Sequence, residues 1–169
     1  MLKDAIRDIP DFPKPGIIYK DITPILSDAA LFQQAIDALA DSLEGKAFDK
    51  VVGIDARGFI FGAALAQKMG KGFIPVRKAG KLPYKTIAQS YDLEYGTATA
   101  EIHEDAIQPG EKVVLIDDLL ATGGTARAAV KLLNHLQADI VSIRFLIELS
   151  FLDGRQLFES HDLEAVITY

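Results

Sequence analysis

The stretch Val113-Val114-Leu115-Ile116-Asp117-Asp118-Leu119-Leu120-Ala121-Thr122-Gly123-Gly124-Thr125 decides how this chain folds. Its four leading apolar residues predict a buried strand, which the carboxylates of Asp117 and Asp118 then close. Small residues at 121–125 predict a tight turn, and a helix over 125–136 follows. That order places acid groups and free backbone N–H donors together at the carboxyl edge of a sheet. Such an edge suits a ligand with both hydroxyls and a phosphate, and ribose 5-phosphate offers both. A capped strand–helix link would carry the same glycines. Two adjacent like charges make the link less ordinary, because they repel unless a ligand, cation or donor satisfies them. No Gly-Lys-Ser/Thr follows the glycines, so this is not a P-loop, and G-x-G-x-x-G is absent.

Outward from this stretch, strands and helices alternate. Ser27 is the expected N-cap of a helix carrying Leu31, Phe32, Ala35, Ile36, Leu39 and Leu43 at helical spacing, ended by Gly45. A strand over 51–54 leads through Asp55-Ala56-Arg57-Gly58 into a helix over 59–69 closed by Gly70. A strand over 73–76 follows. Strand, helix, strand implies a right-handed crossover and a parallel sheet. Residues 77–95 show no clear period, and a stretch that long is usually functional. Further strands are expected over 96–103, 112–116, 140–149 and 165–168. Residues 11–23 read as irregular, with one extended piece at 17–20. The class is therefore α/β.

Three more segments carry chemistry-bearing residues. A parallel sheet brings strand ends to one edge, so Arg57 is placed to grip a phosphate bidentately beside the first turn; a solvated Arg in a plain turn is the simpler reading. Arg77-Lys78-Ala79-Gly80-Lys81 is cationic in an acidic chain and suits a second phosphate, or is a solvated cluster. Ser90-Tyr91-Asp92-Leu93-Glu94-Tyr95-Gly96 mixes aromatics and acids before a strand, as a lid that excludes water would. His103, His135 and His161 match no metal spacing, and no Gly-x-Ser-x-Gly elbow is present.

Composition narrows the class. The chain has 169 residues, 49% of them hydrophobic, enough for one domain with a real core. It has no cysteine, so no disulfide, thiolate metal site or cysteine nucleophile. A formal charge of −6 with no long basic run argues against sequence-blind nucleic-acid binding. The opening residues lack the apolar core of a secretory leader, and no stretch approaches membrane-spanning length. A cytoplasmic protein with no membrane or nucleic-acid partner is expected.

Together these segments resemble the type I phosphoribosyltransferases. The likeness rests on residues 113–125, on Asp11-Phe12-Pro13-Lys14-Pro15-Gly16, on Arg57-Gly58-Phe59-Ile60-Phe61-Gly62, on Arg77-Lys78-Ala79-Gly80-Lys81-Leu82-Pro83 and on Ser90-Tyr91-Asp92-Leu93-Glu94-Tyr95-Gly96. They occur in the family's order and span nearly the whole chain. The resemblance implies one domain over 1–169, with a mostly parallel twisted sheet flanked by helices. A small hood comes from about 10–26 and from the segment around 149, and a mobile lid covers the site. It implies transfer of the 5-phosphoribosyl group from phosphoribosyl pyrophosphate to adenine with Mg²⁺, giving AMP and pyrophosphate, by a homodimer.

The same resemblance implies roles. Ala121, Thr122, Gly123, Gly124 and Thr125 would cradle the 5-phosphate, and Asp117 and Asp118 would face the ribose hydroxyls. Ala56 and Arg57 would form the pyrophosphate loop, often with a cis peptide, and Lys78 and Lys81 would face pyrophosphate. Arg77 would reach a neighbouring subunit's site. Arg57, Glu94 and Tyr95 form the catalytic set, with Glu94 the catalytic carboxylate. Ile18, Tyr19 and Lys20 would form the hood, the base lying between Tyr19 and Leu149. Magnesium would be held mainly through substrate, with no direct protein ligand. Lys20 stands where many relatives have Arg, and Tyr84-Lys85 departs from the family's lid approach. Two other readings stand beside this one: transfer to another purine such as xanthine, and a non-catalytic regulator that senses phosphoribosyl pyrophosphate.

Overall fold

A computed structural model describes residues 1–93 and 96–169. Its strands are β1 (Arg7–Pro10), β2 (Ile18–Asp21), β3 (Lys50–Ile54), β4 (Gly72–Lys78), β5 (Thr86–Leu93), β6 (Gly96–His103), β7 (Lys112–Leu120), β8 (Asp139–Glu148) and β9 (Leu163–Thr168). Its helices are α1 (Leu2–Ala5), α2 (Thr23–Ser27), α3 (Ala29–Asp41), α4 (Arg57–Met69) and α5 (Gly124–His135). Two 3₁₀ turns, Ser150–Leu152 and Gly154–Phe158, join β8 to β9. Among the described residues no helix is long and apolar enough to cross a membrane.

The seven-stranded sheet runs β5-β6-β4-β3-β7-β8-β9. Strands β4, β3, β7, β8 and β9 are parallel, and the β5–β6 hairpin adds antiparallel at one edge. Chain order steps one way from β3 to β4 and the other way from β7 to β9. The reversal lies between β3 and β7, the switch point where an open α/β sheet leaves a crevice at its carboxyl edge. One apolar cluster buries α5 (Ala129, Leu133) against the sheet; the other face buries Ile25, Leu39, Phe61 and Leu65 of α2, α3 and α4. Strands β1 and β2 form a separate two-stranded sheet.

Three expectations need correction. The helix cap is Asp28, which accepts from Ala30 N (2.9 Å) and Leu31 N (3.0 Å); Ser27 instead ends the short helix begun at Thr23-Pro24. Residues 86–93, within the stretch expected to be irregular, form β5. Its inward positions are Ile87, Gln89 and Tyr91, so one polar residue breaks the apolar alternation. Third, β7 does not stop at Ile116. Pairing with β3 ends there, at Gly53, while pairing with β8 runs on to Leu120. Asp117 and Asp118 therefore belong to the strand, at the point where its β3 neighbour has left. The N-terminal β1 was not foreseen either; its four residues carry no apolar alternation.

Candidate active site

The acids come first. Asp118 is buried, 6% exposed, and Asp117 is partly buried. Asp117 Oδ1 accepts from the Asp118 N–H at 2.9 Å. Helix α4 packs so closely here that a methyl on Gly58 would lie 2.6 Å from Asp117 Oδ1 and 3.1 Å from the Ile116 carbonyl oxygen. That approach brings Arg57, the first residue of α4, to the acids: its Nε lies 2.8 Å from Asp118 Oδ2. Even so, Asp118 Oδ2 receives no well-formed hydrogen bond among the described residues. Burial, then the charge of Asp118, pushes the Asp117 carboxyl well above its usual range. Burial also raises Asp118, and Arg57 offsets part of that rise. Adjacent buried carboxyls, one with an oxygen lacking a donor, suit a ligand that brings hydroxyls or a cation.

Beside them, Asp117, Leu119 and residues 120–126 line a cavity of about 100 Å³. Helix α5 begins there behind Gly123, in the left-handed region at φ 89°, and no side chain caps it. The N–H groups of its first turn are thus left to an anion, with the helix dipole behind them. The turn is braced from behind by Gly154, where an added methyl would collide with the Ala121 carbonyl. Strand β5 crosses this helix start, for a methyl on Gly124 would meet the Asp92 carbonyl oxygen at 3.8 Å.

A further small cavity joins the β3, β4 and β5 sides. Asp55, Arg77, Lys78, Tyr91 and Thr125 line it. The Asp55–Ala56 peptide bond is cis. Arg77 Nε donates to Asp55 Oδ2 at 3.1 Å. On the other side, Arg57 Nη1 donates to the Tyr19 hydroxyl of β2, and its Cζ lies 5.0 Å from the Tyr19 ring centroid. Arg57 therefore touches the acid pair and the β1–β2 sheet at once.

The family described as phosphoribosyl transferase domain matches residues 22–156. The chain belongs to this family. An adenine phosphoribosyltransferase of Halothermothrix orenii is 59% identical over 162 residues, 96% of this chain and 95% of that one. The crystal structure of adenine phosphoribosyltransferase from Thermoanaerobacter pseudethanolicus matches with a TM-score of 0.97 at 53% identity, over 99% of this chain and 98% of that one. The Saccharomyces cerevisiae enzyme, solved with an imino-altritol bisphosphate and adenine, gives 0.93 at 41% identity, over 98% and 96%. The mostly parallel sheet flanked by helices is the fold expected of the family.

Within this phosphoribosyl transferase fold, the residues singled out from sequence separate into groups. Arg57, Asp117, Asp118, residues 121–125, Ala56, Arg77 and Lys78 converge at the switch point, and Tyr19 joins them through Arg57. Lys81 lies exposed in the turn after β4 and lines none of the cavities described here. Ile18 is exposed. Lys20 points away from Arg57: its ammonium meets Asp8 Oδ1 at 2.6 Å and lies 3.9 Å from the Tyr169 ring centroid. Leu149, buried at the end of β8, donates its N–H to the Leu120 carbonyl at 2.9 Å. Glu94 and Tyr95 lie outside the described residues. Gly154 and Tyr169 were not foreseen. An Asp-Gly pair marks Gly154 as a turn, but only the fold shows what the turn rests on. Among the described residues no group of three or more His, Cys, Asp or Glu is placed to hold a metal.

Proposed function

We propose that the chain transfers the 5-phosphoribosyl group from phosphoribosyl pyrophosphate to adenine, yielding AMP and pyrophosphate. One observation carries the reading: a buried acid pair with an unsatisfied Asp118 oxygen, an uncapped helix start and Arg57 converge at the switch point of this family's fold. Adenine as acceptor is supported by the adenine phosphoribosyltransferases that the chain resembles over nearly its full length.

The chemistry follows from charge. Leaving of pyrophosphate makes the anomeric carbon cationic and the leaving group more negative. Backbone N–H groups of 121–125 hold the 5-phosphate, and Asp117 and Asp118 accept from the ribose hydroxyls and lie near the developing positive charge. Arg57 and Lys78 hold pyrophosphate, Arg77 reaches that of the neighbouring subunit, and Lys81 would join from its exposed turn. Glu94 and Tyr95 act from the lid, Glu94 taking the adenine proton or stabilising the sugar cation. Tyr19 and Leu149 flank the base, with Ile18 at the hood's rim.

The site offers hard carboxylate oxygens of the kind Mg²⁺ takes, which fits an ion shared with substrate. When bound, Mg²⁺ supplies positive charge to the pyrophosphate. The reading carries with it a hood made by about 10–26 and the segment around 149, a homodimer in which Arg77 serves the neighbouring site, and a cytoplasmic setting.

Purified protein given adenine, phosphoribosyl pyrophosphate and Mg²⁺ should form AMP and pyrophosphate in equal amounts. Loss of phosphoribosyl pyrophosphate without AMP would overturn the reading. Glu94→Gln should lose most turnover while keeping phosphoribosyl pyrophosphate binding; unchanged turnover would remove Glu94 from catalysis.

A further inference from the structure

The two sides assigned to the base are remote in sequence, yet one residue touches both. Tyr169 follows the last strand. Its ring receives the ammonium of Lys20, 3.9 Å from the centroid, and that of Lys3, at 4.4 Å. Lys20 directly follows Tyr19 on β2 and is fixed a second time by Asp8 Oδ1 at 2.6 Å. The Tyr169 backbone meanwhile grips the other side. Its N–H donates to the Glu148 carbonyl at 2.9 Å, and its main-chain oxygen accepts from Ser150 N at 3.0 Å. The Ser150 hydroxyl donates to that same oxygen at 2.6 Å. Leu149 lies between Glu148 and Ser150, so Tyr169 brackets it on both sides.

We propose that Tyr169 is a positioning residue for the base: its ring holds the strand bearing Tyr19, and its backbone holds the segment bearing Leu149. The proposal rests on the adenine reading above. The β1–β2 sheet has two strands and no fully buried residue of its own, and such ribbons are marginal alone. Its placement therefore depends on a few side-chain anchors. One is Tyr19 to Arg57, which belongs to the reaction site. The Lys20–Tyr169 contact is a second, on the opposite face of β2, and a cation against an aromatic face is attractive without any hydroxyl. This also gives the Lys20 side chain a role within the hood: its ammonium reaches the Tyr169 ring.

The test compares Tyr169→Leu with Tyr169→Phe, since both keep the backbone bonds and only Phe keeps a ring face. Tyr169→Leu should raise the KM for adenine by roughly three- to tenfold, with kcat and the KM for phosphoribosyl pyrophosphate within about twofold. Tyr169→Phe should stay near the parent protein. Equal rises in both KM values, or a Phe variant as poor as Leu, would overturn the proposal. A second measurement needs no reaction. In hydrogen exchange, amides of β1 and β2 should exchange faster in Tyr169→Leu while those of α5 do not change; unchanged β1–β2 exchange would overturn it. If the parent protein fails to use adenine, the functional reading falls, and the exchange contrast still decides the strut.

Discussion

Under the proposed function, the donor half and the base half of this site are built from different materials. The donor half is main chain: N–H groups at the start of α5, a turn braced by Gly154, and acids on a strand deep in the sheet. The base half hangs on side chains, through Tyr19 to Arg57 and Lys20 to Asp8 and Tyr169. A backbone cradle ignores most side-chain changes and fails when the backbone moves. A side-chain mounting can be retuned one residue at a time. One scaffold can thus keep its phosphate chemistry while its acceptor pocket varies.

Arg57 belongs to both halves, so its loss should have the largest effect. Arg57→Ala should lower kcat by on the order of 10²–10³-fold. It should also destabilise the fold, because Asp118 would remain buried without its cation. Steady-state rates and thermal melts check both; a loss below about tenfold would contradict Arg57's place at the leaving group. Gly154→Ala strikes the donor half alone. The methyl must push the Ala121 carbonyl, costing about 1–3 kcal/mol of stability. The KM for phosphoribosyl pyrophosphate should rise and that for adenine should hold; the reverse pattern would break the division into halves.

Asp117→Asn should have opposite effects on stability and binding. Asp117's raised pKa means that its charge penalises the folded state above that pKa, and the penalty fades as pH falls through it. Removing the charge should raise Tm at neutral pH by about 2–4 °C while weakening donor binding. A lower Tm would show that the pair is not strained in the free protein. Smallest in its effect on catalysis is Asp162→Asn. Burial acts to raise the Asp162 pKa, but Ser142, Lys46 and Arg144 outweigh it and hold the carboxyl well below the usual range. That stabilisation is complete above the ordinary Asp pKa near ~3.9 and is lost as pH falls through the depressed folded value. The variant should melt lower at pH 7, converge with the parent in acid and keep activity within about twofold, because Asp162 lies in neither half.

Sequence reading reached the donor half much further than the base half, for a physical reason. Strand, acids, glycines and helix are contiguous at residues 113–125, so local rules place them together, and parallel pairing adds Arg57. The acids' placement within β7 escaped because β8 pairs on to Leu120 after β3 has left, a fact of pairing that β7's own residues do not carry. Strand β5 escaped because Gln89 interrupts its inward face. At the base half, Lys20 turned to Asp8 because β1 pairs with β2 in a register that faces the two. Nothing near residue 20 signals a contact with Tyr169, which joins it only once β9 closes the sheet.

Under the proposed function, adenine is the group to which this site joins the phosphoribosyl unit. Initial rates of pyrophosphate release at equal concentrations of adenine, hypoxanthine, guanine and xanthine test it most directly. Adenine should lead on the order of 10²-fold or more. A rate with any 6-oxopurine that equals or exceeds the adenine rate would contradict adenine as the acceptor.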